Sequence, residues 1–217
     1  NWNKGEPLDF RGEFYTHTLM PPLLAPGPNP YGAPRILLAG VGPAMVEVAG
    51  EAADGLLIHP FHSAAYLDEL ALPALLKGAA KSGRTRAELE VSAQLLVACG
   101  RTPDELAGAI GQMRSQIGFY GSTPAYRPVL ETIGRGALQE ELNVLTKQGR
   151  WDEIGTRIDD DVLHAVALVG SPEEVARQIV ARYRGKVERV SPTAYIGNPD
   201  VADELVAVLR SMLQDET

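Results

Sequence analysis

Two short apolar runs stand out along the chain, each bounded by glycine, proline or polar residues. Such runs are typical of strands that are buried on both faces of a sheet, because neither face alternates with polar side chains. They predict buried strands at Pro34–Ala39 and Leu56–Ile58, and further strands are predicted at Leu89–Ala98 and Val187–Ile196.

Helical patterns separate these runs. Apolar side chains recur at helical spacing in Ala44–Ala53, and a second helix is predicted at Ser63–Ser82. Thr102 and Ser171 each precede a proline and stand three positions before a glutamate, which is the pattern of a helix N-terminus. A closing helix is predicted at Val201–Leu213. Strands that alternate with helices imply an α/β fold with parallel strands.

Two parts of the chain interrupt this alternation. Half of the 16 prolines lie near the start, so residues 1–33 are predicted to form a proline-rich connection. Residues 117–169 are predicted to be a helical insertion, with helices at Ala137–Gln148 and Trp151–Val169. We expect one domain over residues 1–217. The residues alone leave two architectures open, a small doubly wound sheet and half of an eight-stranded barrel.

Composition and charge exclude several classes of function. The net charge of −8, without a basic stripe, argues against a nucleic-acid partner. No apolar run approaches the length of a bilayer crossing, so we expect no membrane partner. The single cysteine, Cys99, excludes a disulfide framework and a cysteine-based zinc site. With no signal-peptide pattern after Asn1, a cytoplasmic location is predicted.

The best local signal for binding is the turn Gly40-Val-Gly-Pro43 between the first predicted strand and helix. Backbone N–H groups at a helix N-terminus lack partners, and glycine lets an anion approach closely, so a phosphate would fit. The same glycines could instead serve a tight turn that requires their φ angles. The full dinucleotide fingerprint is absent. The two interpretations are evenly balanced on the residues alone.

Two histidines, His59 and His62, follow the second predicted strand. Parallel α/β folds place their active sites at the carboxyl ends of strands. A metal site is not expected, because no third ligand stands nearby. His59 could donate a hydrogen bond to a ligand in a pocket, or it could be a loop histidine whose hydrogen bonds are satisfied within the loop.

The stretch Phe119–Pro128 combines three aromatic residues, two prolines and adjacent hydroxyl residues. We favour a lid or pocket wall, in which Tyr126 and the next arginine suit a planar ligand. The alternative is a structural corner whose rings fill a small core. Asp159–Asp161 are predicted to cap a helix rather than to bind a metal. Cys99 is predicted to be buried and inert. His17 has the character of an exposed loop histidine.

Taken together, these segments resemble the luciferase-like monooxygenases. Within that family they are most similar to the deazaflavin (coenzyme F420)-dependent oxidoreductases related to methylenetetrahydromethanopterin reductase. The similarity runs over essentially the whole chain and is carried by Phe10–Tyr15, Tyr15–Met20, Pro34–Pro43, Ala52–Gly55, Phe119–Pro128 and Gly170–Glu174.

The resemblance implies a (β/α)8 TIM barrel of the bacterial-luciferase type. The predicted strands would be strands five to eight, with the insertion before strand eight, and strands one to four would lie outside this sequence. The family carries its cofactor phosphate partly on the loop after the fifth strand. That loop maps onto Ala39, Gly40, Val41, Gly42 and Pro43, and we assign the substrate pocket to His17, His59 and Tyr126.

The predicted function is therefore an oxidoreductase that transfers hydride between reduced coenzyme F420 and a small organic acceptor. The alternatives are an FMN-dependent monooxygenase, a non-catalytic flavin-binding protein and a half-barrel subunit. Half a barrel leaves two sheet edges and an apolar face uncovered, so a second copy of the chain is the expected partner besides the substrate.

Overall fold

The computed structural model describes residues 1–194 and 199–214. It divides into two compact units, Asn1–Ile36 and Leu37–Thr217. The first unit holds one short antiparallel pair, β1 (Phe10–Arg11) and β2 (Thr16–His17), and two 3-10 turns. Its low content of regular structure agrees with the expectation from its prolines, which supply no backbone donor.

The second unit is built on five parallel strands. Their bounds are β3 (Leu37–Gly40), β4 (Gly55–Ile58), β5 (Glu90–Cys99), β6 (Ala167–Gly170) and β7 (Arg189–Ala194). Among the described residues β3 pairs only with β4 and β7 only with β5, so both are edge strands, as predicted. The run predicted at Val187–Ile196 is confirmed over β7, and Ile196 lies outside the described residues.

The long strand β5 organises the sheet. Ser92 and Ala93 pair with both β4 and β7, whereas Leu96 and Val97 pair with both β6 and β7. A strand has only two edges, so β4 and β6 must lie along the same edge of β5, one after the other. The strand β6 was not predicted, and the helix expected over Trp151–Val169 is interrupted at Ile158 and Asp159 and ends at Val166.

Ten helices connect and cover the strands in the described part of the chain. The segment between α2 and α3 is a π-helical turn, Leu67–Ala71, so the helix predicted at Ser63–Ser82 is confirmed as one helical run. Every helix in residues 1–194 and 199–214 is too short or too polar to cross a bilayer. The helices are α1 (Pro43–Ala52), α2 (Ala64–Tyr66), α3 (Leu72–Lys81), α4 (Pro103–Gly121), α5 (Arg127–Glu131), α6 (Gly136–Lys147), α7 (Trp151–Ile154), α8 (Asp160–Val166), α9 (Pro172–Tyr183) and α10 (Pro199–Gln214).

The two faces of the sheet differ in character. Leu56 pairs with Val91 and Ile58 with Ala93, and all four side chains are buried in the core. Alternate residues of a strand point to opposite faces, so Leu57 and the polar residues of β5 lie on the other face. That second face carries Glu90, Ser92 and Gln94, and the carboxylate of Glu90 pairs with Arg189 at 2.9 Å. This face is therefore partly polar at β5.

Helices α1 and α3 approach each other through glycine. A methyl group added at Gly50 of α1 would overlap the carbonyl oxygen of Leu75 and come within 2.9 Å of the Ala79 nitrogen. A methyl group at Gly78 of α3 would overlap the carbonyl oxygen of Glu47 in the same way. The two backbones therefore touch directly, and only residues without a Cβ allow this packing.

Candidate functional site

The loop between β3 and α1 leaves space in front of Gly42. Gly42 is the N-cap of α1 with φ −72° and ψ 148°, and a Cβ built on it would meet nothing within 4 Å. Gly40, in contrast, faces α1, with Met45 Cβ 3.2 Å from the position of an added Cβ. Neither residue has a positive φ. The interpretation that these glycines serve only the φ angles of a tight turn is therefore wrong.

A buried tyrosine fixes the orientation of this loop. The hydroxyl of Tyr66 donates a hydrogen bond to the carbonyl oxygen of Val41, and the Tyr66 side chain is buried. Burial raises the pKa of Tyr66 to about 12, so the phenol remains a donor at neutral pH. In a planar trans peptide the C=O and the following N–H point in opposite directions. The N–H of Gly42 is thus turned away from Tyr66, outward.

The loop has the donors that an anion needs. Among the residues that the structure describes, no side chain caps the N-terminus of α1, and its first turn contains no acidic residue. Pro43 has no N–H, while the amides of the first turn lack partners within the helix. Ala39 and Pro43 are exposed and Val41 and Gly42 are half-buried, so the loop is accessible. The residues present therefore fit a phosphate group.

The second cluster gathers around His59, at the end of β4. The Tyr126 hydroxyl lies 3.2 Å from His59 Nε2, and the two rings stack with centroids 4.6 Å apart. Tyr120 meets the imidazole edge-on at 4.8 Å, and Phe61 lies 5.9 Å from the Tyr126 ring. The structure thus brings together two of the predicted pocket residues. The backbone N–H of Phe61 donates to His59 Nδ1 at 3.1 Å, so both ring nitrogens have protein partners.

His62 plays a structural part in the same loop. Its Nδ1 lies 2.8 Å from the His59 carbonyl oxygen and its Nε2 lies 2.9 Å from the Tyr183 hydroxyl on α9. Burial lowers the pKa of His62 to about 4. Within the described residues no group of three or more His, Cys, Asp or Glu side chains could hold a metal ion.

The stretch Phe119–Pro128 forms a helical corner. It contains the end of α4, a 3-10 turn over Pro124–Tyr126 and the start of α5. Gln139 and Asn143 of α6 donate to the Ser122 carbonyl oxygen at 3.1 and 2.9 Å, which holds the corner against the rest of the insertion. A role as a lid stays a prediction, and the rings of Tyr120 and Tyr126 form the wall described above.

The remaining candidates are His17, Asp159 and Cys99. His17 stacks with Phe10 and Tyr15 at centroid distances of 6.1 and 6.2 Å inside the first unit, and its role in a pocket stays a prediction. Asp159 accepts a hydrogen bond from the Val162 amide and caps α8, as predicted. Cys99 is buried, and burial raises the pKa of its thiol to about 11, in agreement with an inert residue.

Comparison with known proteins identifies related chains. A family model described as luciferase-like monooxygenase matches residues 1–189. The uncharacterized protein Rv1360 of Mycobacterium tuberculosis (strain ATCC 25618 / H37Rv) is 50% identical over 191 residues, which cover 88% of this chain and 56% of that protein. The 5,10-methylenetetrahydromethanopterin reductase of Archaeoglobus fulgidus is 26% identical over 204 residues, 91% of this chain and 57% of the relative. The chain thus spans about half the length of the curated relatives it matches.

A solved structure shows the same fold. The coenzyme F420-dependent tetrahydromethanopterin reductase of Methanopyrus kandleri superposes with a TM-score of 0.75 at 22% sequence identity, over 94% of this chain and 57% of that one. The likeness confirms the α/β fold, with the parallel strands and flanking helices of part of a luciferase-type barrel.

Proposed function

Because this chain belongs to the luciferase-like monooxygenase family, we propose that it supplies the phosphate loop and one pocket wall of an F420-dependent oxidoreductase. The reaction is hydride transfer between reduced coenzyme F420 and a small organic acceptor. The relatives named as methylenetetrahydromethanopterin reductases and the F420-dependent structural neighbour support this choice. In such enzymes the cofactor supplies the redox chemistry, while the protein binds it, orients it and excludes water.

The open space at Gly42 carries the proposal. Gly42 has an ordinary φ angle, and a side chain at this position would meet no neighbour within 4 Å. Neither the backbone conformation nor the packing therefore requires a glycine here. A ligand that approaches the backbone closely would explain why this position is a glycine. The outward N–H of Gly42 and the first amides of α1 would hold the phosphate, and Ala39, Gly40, Val41 and Pro43 would shape the loop.

Gly42→Asp is expected to weaken cofactor binding by about tenfold or more, because a carboxylate would repel the phosphate at short range. Thermal stability should change little, since the added side chain enters open space. Fluorescence titration of F420 and of FMN into the full-length natural protein measures the dissociation constants. Gly42→Asn is the matched control, with similar size and no charge. Equal constants for the wild type and Gly42→Asp would remove this loop from the site.

The first alternative is an FMN-dependent monooxygenase, which the family description itself supports. The second is a non-catalytic flavin-binding protein or a half-barrel subunit. A visible spectrum of the purified protein separates the two cofactors, because FMN absorbs in the blue and oxidised deazaflavin at shorter wavelength. We also propose a cytoplasmic location, because the sequence has a single cysteine, Cys99, and therefore no disulfide framework.

We also propose that this chain associates with a second copy when it is produced alone. In the described part of the chain β3 and β7 each have one unpaired edge, and the backbone N–H and C=O groups of such an edge template strand pairing. Size-exclusion chromatography with light scattering of the 217-residue chain is expected to show dimers or larger species. A monodisperse monomer that melts cooperatively would contradict this expectation and favour a self-sufficient sheet.

A further inference from the structure

The protonation of His59 follows from its two hydrogen bonds. A backbone N–H can only donate, so the contact from Phe61 makes His59 Nδ1 the acceptor. A neutral imidazole that accepts at Nδ1 carries its proton on Nε2. Burial lowers the pKa of His59, which favours the neutral ring. The bond between Nε2 and Tyr126 at 3.2 Å therefore runs from histidine to tyrosine.

This direction leaves the proton of Tyr126 free to act. A phenol has one O–H donor, and here its oxygen accepts from His59. In residues 1–194 and 199–214 no other hydrogen-bond partner of the Tyr126 hydroxyl is found. Burial raises the pKa of Tyr126, so the hydroxyl keeps its proton at neutral pH. The side chain is only partly buried, so a ligand can reach it.

The surroundings indicate what the hydroxyl would meet. Tyr120 and Phe61 complete an uncharged aromatic wall around His59 and Tyr126. The next residue, Arg127, forms ion pairs with Glu131 and Glu140 at 2.7 and 2.6 Å. One O–H donor in an apolar wall suits a neutral oxygen acceptor on a flat or apolar molecule, which is the character of a carbonyl group.

We propose that Tyr126 presents its hydroxyl proton to the carbonyl oxygen of the substrate and that His59 is the positioning residue that holds this hydroxyl. The proposal rests on the proposed function. When bound, the reduced deazaflavin would supply hydride, with two electrons, to the carbonyl carbon as the C=O π bond opens. The oxygen takes the proton of Tyr126 and becomes an alcohol, and the phenolate recovers a proton from water.

The first test needs no cofactor. Nitrogen-15 NMR of the histidine rings in the full-length apoprotein is expected to show His59 as the Nε2–H tautomer. Tyr126→Phe should alter the His59 Nε2 shift, whereas Tyr31→Phe, which removes an exposed hydroxyl, should not. An Nδ1–H tautomer at His59 would overturn the proposal, whatever the cofactor titrations show.

The second test uses F420 as cofactor, with acetone and benzaldehyde as carbonyl probes. Tyr126→Phe is expected to lower kcat by about 100-fold, within the usual range for a lost proton donor, and to leave the F420 dissociation constant within about twofold. His59→Phe should lower kcat too, but add little to Tyr126→Phe in the double variant, because His59 acts through the tyrosine. His59→Gln, which can still donate, should recover part of the rate.

The outcomes separate the two proposals. A wild type that binds neither cofactor would overturn the proposed function, and this proposal with it. If the wild type binds F420 and Tyr126→Phe reduces a carbonyl as fast as the wild type does, the role of Tyr126 is overturned and the proposed function stands. Binding of F420 without reduction of either probe would overturn the carbonyl assignment. A parallel loss of F420 affinity in Tyr126→Phe and Gly42→Asp would place Tyr126 on the cofactor instead.

Discussion

Gly50→Ala is expected to lower the free energy of unfolding by about 3 kcal/mol, although alanine favours helices more than glycine does. The new methyl group would overlap the Leu75 carbonyl oxygen and press on the Ala79 nitrogen, both of which belong to the α3 backbone. A backbone cannot turn aside as a flexible side chain can, so α1 and α3 must separate and open a gap between them. Urea denaturation of the full-length natural protein measures the change.

The matched control is the same substitution at Gly111 in α4. Gly111 is exposed and a Cβ there would meet nothing within 4 Å. Gly111→Ala should therefore raise the free energy of unfolding by about 0.5–1 kcal/mol, the ordinary gain for glycine to alanine in a helix. Effects of equal sign at the two positions would show that α1 and α3 do not touch as described.

The second large effect is a loss of stability in acid that depends on His62. Burial lowers its pKa to about 4 in the folded protein, whereas the unfolded chain takes up the proton below about 6.5. Above pH 7 both states are neutral and the stabilisation is complete. As the pH falls from about 6.5 to 4 only the unfolded state gains a proton, so about 3 kcal/mol of stability is lost.

Comparison of wild type and His62→Gln isolates this effect from the titration of carboxylates. The free energy of unfolding of both is measured by urea denaturation between pH 7.5 and 4, and the difference should shift by about 3 kcal/mol in favour of the variant at low pH. Tyr183→Phe removes the hydroxyl beside Nε2 but leaves the ring buried, so it should keep the acid dependence. Parallel pH curves for the wild type and His62→Gln would contradict the assignment.

Local pattern was sufficient for most of the sheet and insufficient for β6. The segments that became β3, β4, β5 and β7 are bounded by turns, so their type is visible in the sequence and their described limits are predicted to within three residues. Ala167–Gly170 follows α8 directly, with no glycine or proline at the junction. Its four residues continue the apolar pattern of the helix, and only pairing with β5 makes them a strand.

Several residues of the candidate site could be identified from the sequence, but the contacts between them could not. The sequence singles out His59 and Tyr126 separately, but they lie 67 positions apart in the chain. Their contact depends on how the insertion folds back over β4. Tyr66 lies in a helix among apolar residues, where its spacing is that of any core side chain. That its hydroxyl would reach the Val41 carbonyl is a property of tertiary structure, which periodicity does not record.

The shared edge of β5 has a consequence for assembly during synthesis. Strands β3, β4 and β5 follow one another closely and can pair as soon as they leave the ribosome. The rest of that edge must wait for β6, at the end of the insertion, and the opposite edge must wait for β7, which follows the insertion. Contacts between distant segments form slowly, because a long loop must close first. The nascent chain therefore carries an open β5 edge until the insertion has folded, and during that interval the edge can pair with another chain.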